Sequence, residues 1–477
     1  MNNSKFNLNN KYINTTAFLI FLIAIIYFIY NIYIRLPIVH PELVLTFPKL
    51  LNHPGEGFIE GLYKKTFNLQ IVEFGGYRPR LLAFLIGYIE PNLIVAVNDY
   101  FPDWGIRQPF QYLGFGLLIF VGQKTIQILF PLIPLSSRLL TASSVLFFFN
   151  IQTSLYYFHG RSAKVLAFAA CLYLINHFLM NKTTYLSFKK NLPYYLLSSL
   201  GLFLLATLDE AFLALLALLA AISLVISASE RRINNAATTY ILTLIIYFIF
   251  YVSIGRFLFE FFTPTPLREH THTIGEFNHL TLSTLNINAW RAIEVLNHSL
   301  ISFFSGAFIY KLVLASWFIV TVQLKSRLDM FISVSLLLSG IALNTANIIA
   351  HPSIYSVKDV WYSRYIVPPL LLCITAFLYA FSKHEGNLKK FIPVLIITIS
   401  VLTGAINSLS IDKYYSVFLK SHGGHLNIPK PFCYYFGKGM DPWLFKDVLL
   451  KDPLVGDNCG FNRTDDDESV VNFDQNE

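Results

Sequence analysis

Residues 193–227 read PYYLLSSLGLFLLATLDEAFLALLALLAAISLVIS, thirty-five positions in which Asp209 and Glu210 are the only charges. As one helix this stretch would run roughly 50 Å at 1.5 Å per residue. A hydrocarbon core of about 30 Å needs only about 20 residues. An acidic pair near the bilayer midplane would also be costly. The stretch therefore reads as two short helices, Pro193–Leu208 and Ala211–Ser227, joined by an acidic turn.

That division sets the parity of every later crossing. Counted outward from it, eleven stretches are long and apolar enough to span: about Thr16–Tyr33, Tyr112–Leu132, Leu139–Phe158, Ala163–Met180, the two already given, Thr238–Phe259, Ser299–Val322, Asp329–Ala350, Tyr365–Phe381 and Phe391–Leu409. Lys5 and Lys11 precede the first run and no small-residue cleavage pattern follows it, so it reads as an uncleaved span with its N-terminus inside. With this count Lys182, Lys189 and Lys190, Arg231 and Arg232, Lys325 and Arg327, and Lys383, Lys389 and Lys390 share one face. Basic clusters mark the cytoplasmic side. The motif-like groups, 73–80 (EFGGYRPR), 159–164 (HGRSAK), Asp209-Glu210 and Arg364-Tyr365, then share the outer face.

Leu81–Val97 is apolar but carries Glu90-Pro91 and follows Arg78 and Arg80. Counting it as a span would send Lys189, Lys190, Arg231 and Arg232 outside, so it reads as an interfacial or re-entrant helix in a first external loop, residues 35–111. Lys124, with Gln123 and Gln127, lies inside the second span. It either snorkels or lines a wet cavity. The fold class expected is thus an all-α polytopic membrane protein of about eleven spans, N-terminus inside and C-terminus outside. Residues 1–409 form the membrane domain and 410–477 an external tail, ordered to about 461 and disordered beyond.

Composition agrees. A chain of 477 residues that is 55% hydrophobic and 13% charged exceeds what a single soluble core can bury. The formal charge of +8 sits largely in the cytoplasmic loops and calls for anionic lipid, not nucleic acid. Cys171 and Cys373 lie in apolar spans as packing residues, whereas Cys433 and Cys459 lie in the tail, where an oxidising exterior would let them pair. No internal repeat is evident, which counts against a transporter built of two similar halves. No Walker-type phosphate loop, dinucleotide fingerprint or nucleophile elbow occurs.

Glu73 precedes two glycines and then Tyr77, Arg78 and Arg80. An arginine fork suits a phosphate, and Glu73 beside it suits a general base; equally, the arginines suit lipid headgroups with Glu73 as their ion-pair partner. His159, Arg161 and Lys164 place cationic groups at an outer turn, where they need an anionic partner: a headgroup or a bound lipid pyrophosphate. Arg364 either anchors the tenth span or joins that group. Asp209 and Glu210 read as a second carboxylate site, a divalent-cation ligand, or the polar tip of the hairpin. His270, His272 and His279 with Glu269 and Glu276 lack a metalloprotease spacing, so no metal site is assigned.

In this layout, with Glu73 in the first loop, Arg78 and Arg80 beside it, and Arg161 and Arg364 at later external turns, the chain resembles the GT-C class of membrane glycosyltransferases. The resemblance covers the arrangement of nearly all the spans. The Asp-Glu or Asp-Asp pairs of better-marked members are not in the first loop, where Asp99 and Asp103 are the nearest aspartates. It implies transfer of a sugar from a polyprenyl-phosphate-linked donor at the outer face of a bacterial cytoplasmic membrane. Glu73, Asp99 or Asp103 would serve as base; Arg78, Arg80, His159, Arg161, Lys164 and Arg364 would hold the lipid phosphate. A divalent cation is a candidate cofactor. Two alternatives stay open: a lipid-linked glycan polymerase or ligase, for which the loop 260–298 would be the signature, and a non-enzymatic polytopic transporter.

Overall fold

The computed structural model describes residues 55–62, 80–100, 109–131, 133–135, 138–139, 162–188, 190–255, 282–304, 307–350 and 363–384, together with Leu19, Ala142 and Phe257. Within these residues all regular structure is helical. In chain order the helices are α1 Leu81–Tyr100, α2 Pro109–Leu129, α3 Ser162–Asn181, α4 Leu192–Ala206, α5 Glu210–Ser229, α6 Asn235–Tyr247, α7 Leu282–Phe303, α8 Ala307–Val322, α9 Arg327–Ala350 and α10 Ser363–Lys383. A π-helical segment, Phe248–Gly255, continues α6. Five helices are long and apolar enough to cross a membrane: α2, α3, α5, most of α9 and most of α10. The expected spans Thr16–Tyr33, Leu139–Phe158 and Phe391–Leu409, the tail cysteines Cys433 and Cys459, and the C-terminal tail lie essentially outside the described residues.

The acidic turn divides 193–227 as its length requires. α4 ends at Ala206 and α5 begins at Glu210, with Asp209 as N-cap, its carboxylate accepting from the Ala211 N–H at 3.0 Å. The next turn closes by a Schellman arrangement: Arg231 N–H donates to Ala228 O and Arg232 N–H to Ser227 O, with Arg231 at φ 55°. Asn234 then caps α6 by accepting from the Ala237 N–H.

The core is one large apolar cluster spread over α1 to α10, with a small second cluster of Phe84 and Tyr88 on α1, and α3 is buried on nearly all sides. Its closest helix pairs are α2 with α3 and α9 with α10. Both rely on missing side chains: a Cβ at Gly114 would stand 2.9 Å from Val165 Cγ1, and one at Gly340 would stand 2.7 Å from Cys373 Sγ and 2.9 Å from Pro369 O. Interhelical hydrogen bonds supply the remaining register. Trp317 Nε1 donates to Ser333 Oγ, which donates to Ala376 O, linking α8, α9 and α10. Asn344 Nδ2 donates to Ala292 O at 2.8 Å, tying α9 to α7.

The expected eighth span, Ser299–Val322, is broken. Residues 282–303 form α7, which starts well inside the stretch expected to be loop, and a separate helix begins at Ala307. One face of α7 buries Ala292, Val295, Leu296 and Leu300 while Ile287, Trp290 and Ile293 stay exposed. Its apolar positions alternate with Asn286, Asn288, Arg291 and Glu294, so it falls below the hydropathy of a span although it is helical.

The bundle has two chemically different ends. The N-termini of α2, α3 and α5 share one end, as the contacts of the next section establish. At the other, Lys182 Nζ lies over the Tyr379 ring, Tyr379 donates its hydroxyl to Asp329, Tyr185 donates to Glu230, and His384 Nε2 meets Gln323 Oε1. These contacts gather Lys182, Lys190, Arg231, Arg232, Lys325, Arg327 and Lys383 at that second end. Lys124 is exposed and its Nζ donates to Gln127 Oε1 at 3.0 Å, while neighbouring Gln123 is buried.

Candidate functional site

The acidic turn between α4 and α5 is also where the site begins. Asp209 is buried and pairs with Lys164, two residues into α3, and both side chains are under a tenth exposed. Glu210 accepts from Arg80, whose Nε lies 2.7 Å from both carboxylate oxygens. Thr207 completes the junction: its Oγ1 accepts from the Leu82 N–H at 3.2 Å, capping the start of α1 from the end of α4.

Ten residues along α1, about 15 Å by helical rise, Glu90 makes a second junction. Its carboxylate accepts from Ser162 Oγ at 2.7 and 2.6 Å and from the Phe110 N–H at 3.0 Å, joining the first turns of α3 and α2. One end of α1 thus meets the N-terminus of α5 and its middle meets those of α3 and α2. Since Lys164 and Asp209 hold the starts of α3 and α5 level, α1 lies across the end of the bundle instead of running beside it. The short helical segment 58–62 packs on its outer side through the Phe58 and Tyr88 rings, with Tyr88 donating to Phe58 O at 2.7 Å.

The electrostatics follow from burial and pairing. Burial works to raise the Asp209 carboxyl, but the Lys164 ammonium, helped by Arg80 and the Ala211 N–H, overrides it and holds the group below the ordinary aspartate value. Among the described residues no cation faces Glu90: burial pushes it up to about 7 against the pull of Ser162 and the N–H groups of Phe110 and Gln111. One end of the bundle therefore carries two acid–base pairs, a carboxyl that titrates near neutrality, and the positive ends of the α2, α3 and α5 dipoles.

Of the residues expected from sequence to form a site, Arg80, Lys164, Asp209 and Glu210 are brought together here. Arg364 begins α10; Tyr379, near the other end of that helix, packs at the basic end, so the Arg364 backbone stands at the α1 end. Asp99 lies in the last turn of α1. The side chains of Arg364 and Asp99, and all of Glu73, Arg78, Asp103, His159 and Arg161, lie outside the described residues. Glu90 and Ser162 were not singled out from sequence. Glu90, like Asp209, is an acid within an apolar run, where charge is expensive. No group of three or more His, Cys, Asp or Glu side chains stands together among the described residues in a way that could hold a metal ion.

The arrangement defines a helical bundle with several membrane-length apolar helices, closed at one end by a transverse helix that a partly exposed ion pair, Arg80–Glu210, and the hydrogen bonds of buried Glu90 hold in place. No known protein family, curated protein or solved structure matches the chain.

Proposed function

We propose that the chain is a membrane glycosyltransferase that moves a sugar from a polyprenyl-phosphate-linked donor to an acceptor hydroxyl at the outer face of a bacterial cytoplasmic membrane. The reading includes about eleven spans, the N-terminus inside, the C-terminus outside, and α1 lying in the outer interface. The observation that carries it is the segregation of the bundle's ends: simple basic groups at one, and at the other a transverse helix joined to the N-termini of α5, α3 and α2 by Arg80–Glu210 and by Glu90 with Ser162 and Phe110, while Lys164–Asp209 ties α3 to α5.

In this reaction the acceptor O–H loses its proton to a carboxylate as its oxygen attacks the anomeric carbon, and the C–O bond to the phosphate breaks. Polyprenyl phosphate leaves with the electron pair. Glu73, Asp99 or Asp103 takes the proton. Arg80 and Lys164 already hold carboxylates, so Arg80 fixes α1 to α5 and Lys164 ties α3 to α5, while Arg78, His159, Arg161 and Arg364 stabilise charge on the leaving phosphate. Helix N-termini at the same end add to that positive field. Such a donor needs no nucleotide pocket, consistent with the missing nucleotide motifs.

Native mass spectrometry of gently purified protein tests this. A retained polyprenyl-phosphate lipid in the wild type, lost in the double variant Arg78→Ala with Arg161→Ala, is the expected result and would identify the attached glycan. Bulk phospholipid alone, equal in both, contradicts it. With the lipid in hand, product formation that survives Glu73→Gln, Asp99→Asn and Asp103→Asn each in turn removes all three candidate bases.

A further inference from the structure

The basic end holds a pair of lysines whose arrangement a loop-anchoring role does not explain. Lys182 follows the last residue of α3 and is buried, 8% exposed. Its Nζ donates to Leu179 O at 2.9 Å and stands 5.1 Å from the centre of the Tyr379 ring. Lys383, at the end of α10, brings a second ammonium to 5.7 Å from the same ring centre. Among the described residues the carboxylate nearby is that of Asp329, which accepts the Tyr379 hydroxyl and makes no ion pair with either lysine. Two cations thus share one aromatic ring, and the acid that could neutralise them is engaged with that ring's hydroxyl.

Lys182 has three N–H donors. The α3 carbonyl takes one, and the ring face offers the attraction of a π quadrupole. The rest find no hydrogen-bond acceptor among the described residues. Burial, and then Lys383, push the Lys182 ammonium down to about 8 while Asp329 opposes them, so the lysines are close enough to repel. Among the described residues the other charged or titratable groups at this end are Lys190, Arg231, Arg232, Lys325 and Arg327, all exposed, Glu230, which accepts from Tyr185, and His384, whose Nε2 meets Gln323. The local balance is an excess of positive charge around a partly dehydrated amine.

We propose that the ends of α3, α9 and α10 form a binding site for a phosphoryl anion, whose oxygens accept from Lys182 and Lys383 across the Tyr379 ring. A phosphate oxygen there removes the lysine repulsion and satisfies the donors of Lys182. In a membrane the phosphodiester of an anionic phospholipid is the nearest source, and free phosphate is the soluble one. The site stands at the opposite end from α1 and does not depend on the sugar-transfer reading.

The experiment uses the full chain in bilayer discs of phosphatidylcholine with an equal share of phosphatidylglycerol, and in neutral detergent with inorganic phosphate. The wild type is expected to retain severalfold more phosphatidylglycerol than phosphatidylcholine after delipidation, read by native mass spectrometry. Lys182→Gln with Lys383→Gln abolishes that preference; Lys190→Gln with Arg232→Gln, which removes two exposed charges from the same end, preserves it. A thermal shift from phosphate at constant ionic strength, lost in the lysine variant and unaccompanied by lipid retention, assigns the site to the soluble anion. Equal behaviour of wild type and lysine variant in both arms overturns the proposal, as does an equal loss in the control variant, which marks a diffuse charged face. Should the double variant not fold, Lys383→Gln alone, at an exposed position, carries the test and is expected to lose at least half the preference.

Discussion

Asp209 does two things at once. One oxygen caps α5 and the carboxylate holds Lys164, so its two roles separate by substitution. Asp209→Asn keeps a cap but leaves a buried ammonium without its counter-charge, a change that costs about 3–5 kcal/mol. Replacing both members, Lys164→Met with Asp209→Leu, is expected to cost less than either single charge removal apart from about 1 kcal/mol for the cap. Denaturant or thermal unfolding in detergent reads both. The pH dependence has a definite sign. A carboxyl held below its ordinary 3.8 contributes stability that is present above about pH 4 and lost as pH falls through its folded-state value. The stability gap between wild type and Asp209→Asn should close across that window; a gap constant from pH 7 to pH 2 contradicts the pairing. At this scale the sequence revealed the acids but not their partners. Asp209 and Glu210 stand out because charge is expensive in an apolar run, yet Lys164 and Arg80 are 45 and 130 residues away. Glu90 was passed over because the proline after it made it read as an interruption.

Helices α2 and α3, and α9 and α10, approach closely only where a side chain is missing. Gly340→Ala drives a Cβ into Cys373 and the Pro369 carbonyl, and overpacking of this kind costs about 1–3 kcal/mol. Gly201→Ala, with nothing within 4 Å of the added carbon, gains up to about 1 kcal/mol from helix propensity. Equal melting temperatures for these two variants would contradict the packing described. Arg231 holds a left-handed backbone that glycine adopts freely, so Arg231→Gly is expected to raise stability by about 1 kcal/mol in the same assay. Elements were legible where apolar runs were uninterrupted: α3, α5, α9 and α10 lie close to their expected spans. α7 was not, because its apolar residues are diluted by polar ones. Two proline residues inside α10, Pro368 and Pro369, did not stop that helix, since packing against α9 outweighs the lost N–H donors.

The whole molecule is organised by which charges meet at which end. Alternation of basic clusters along the chain foretold that Lys182, Arg232 and Lys383 would gather apart from Asp209 and Lys164, and the bundle agrees without any membrane being invoked. The path of α1 was less legible, since nothing local says that its start meets α5 while its middle meets α2 and α3. The central claim is that the α1 end faces outward and the basic end inward. Single cysteines at Ile59, 80% exposed beside α1, and at Arg232, exposed at the opposite end, test it in a chain whose Cys433 and Cys459 are serine and whose Cys171 and Cys373 are buried. A membrane-impermeant maleimide added to intact cells should label Ile59→Cys at once and Arg232→Cys only after permeabilisation. Labelling of both from the same side, or of Arg232→Cys alone from outside, would contradict the account.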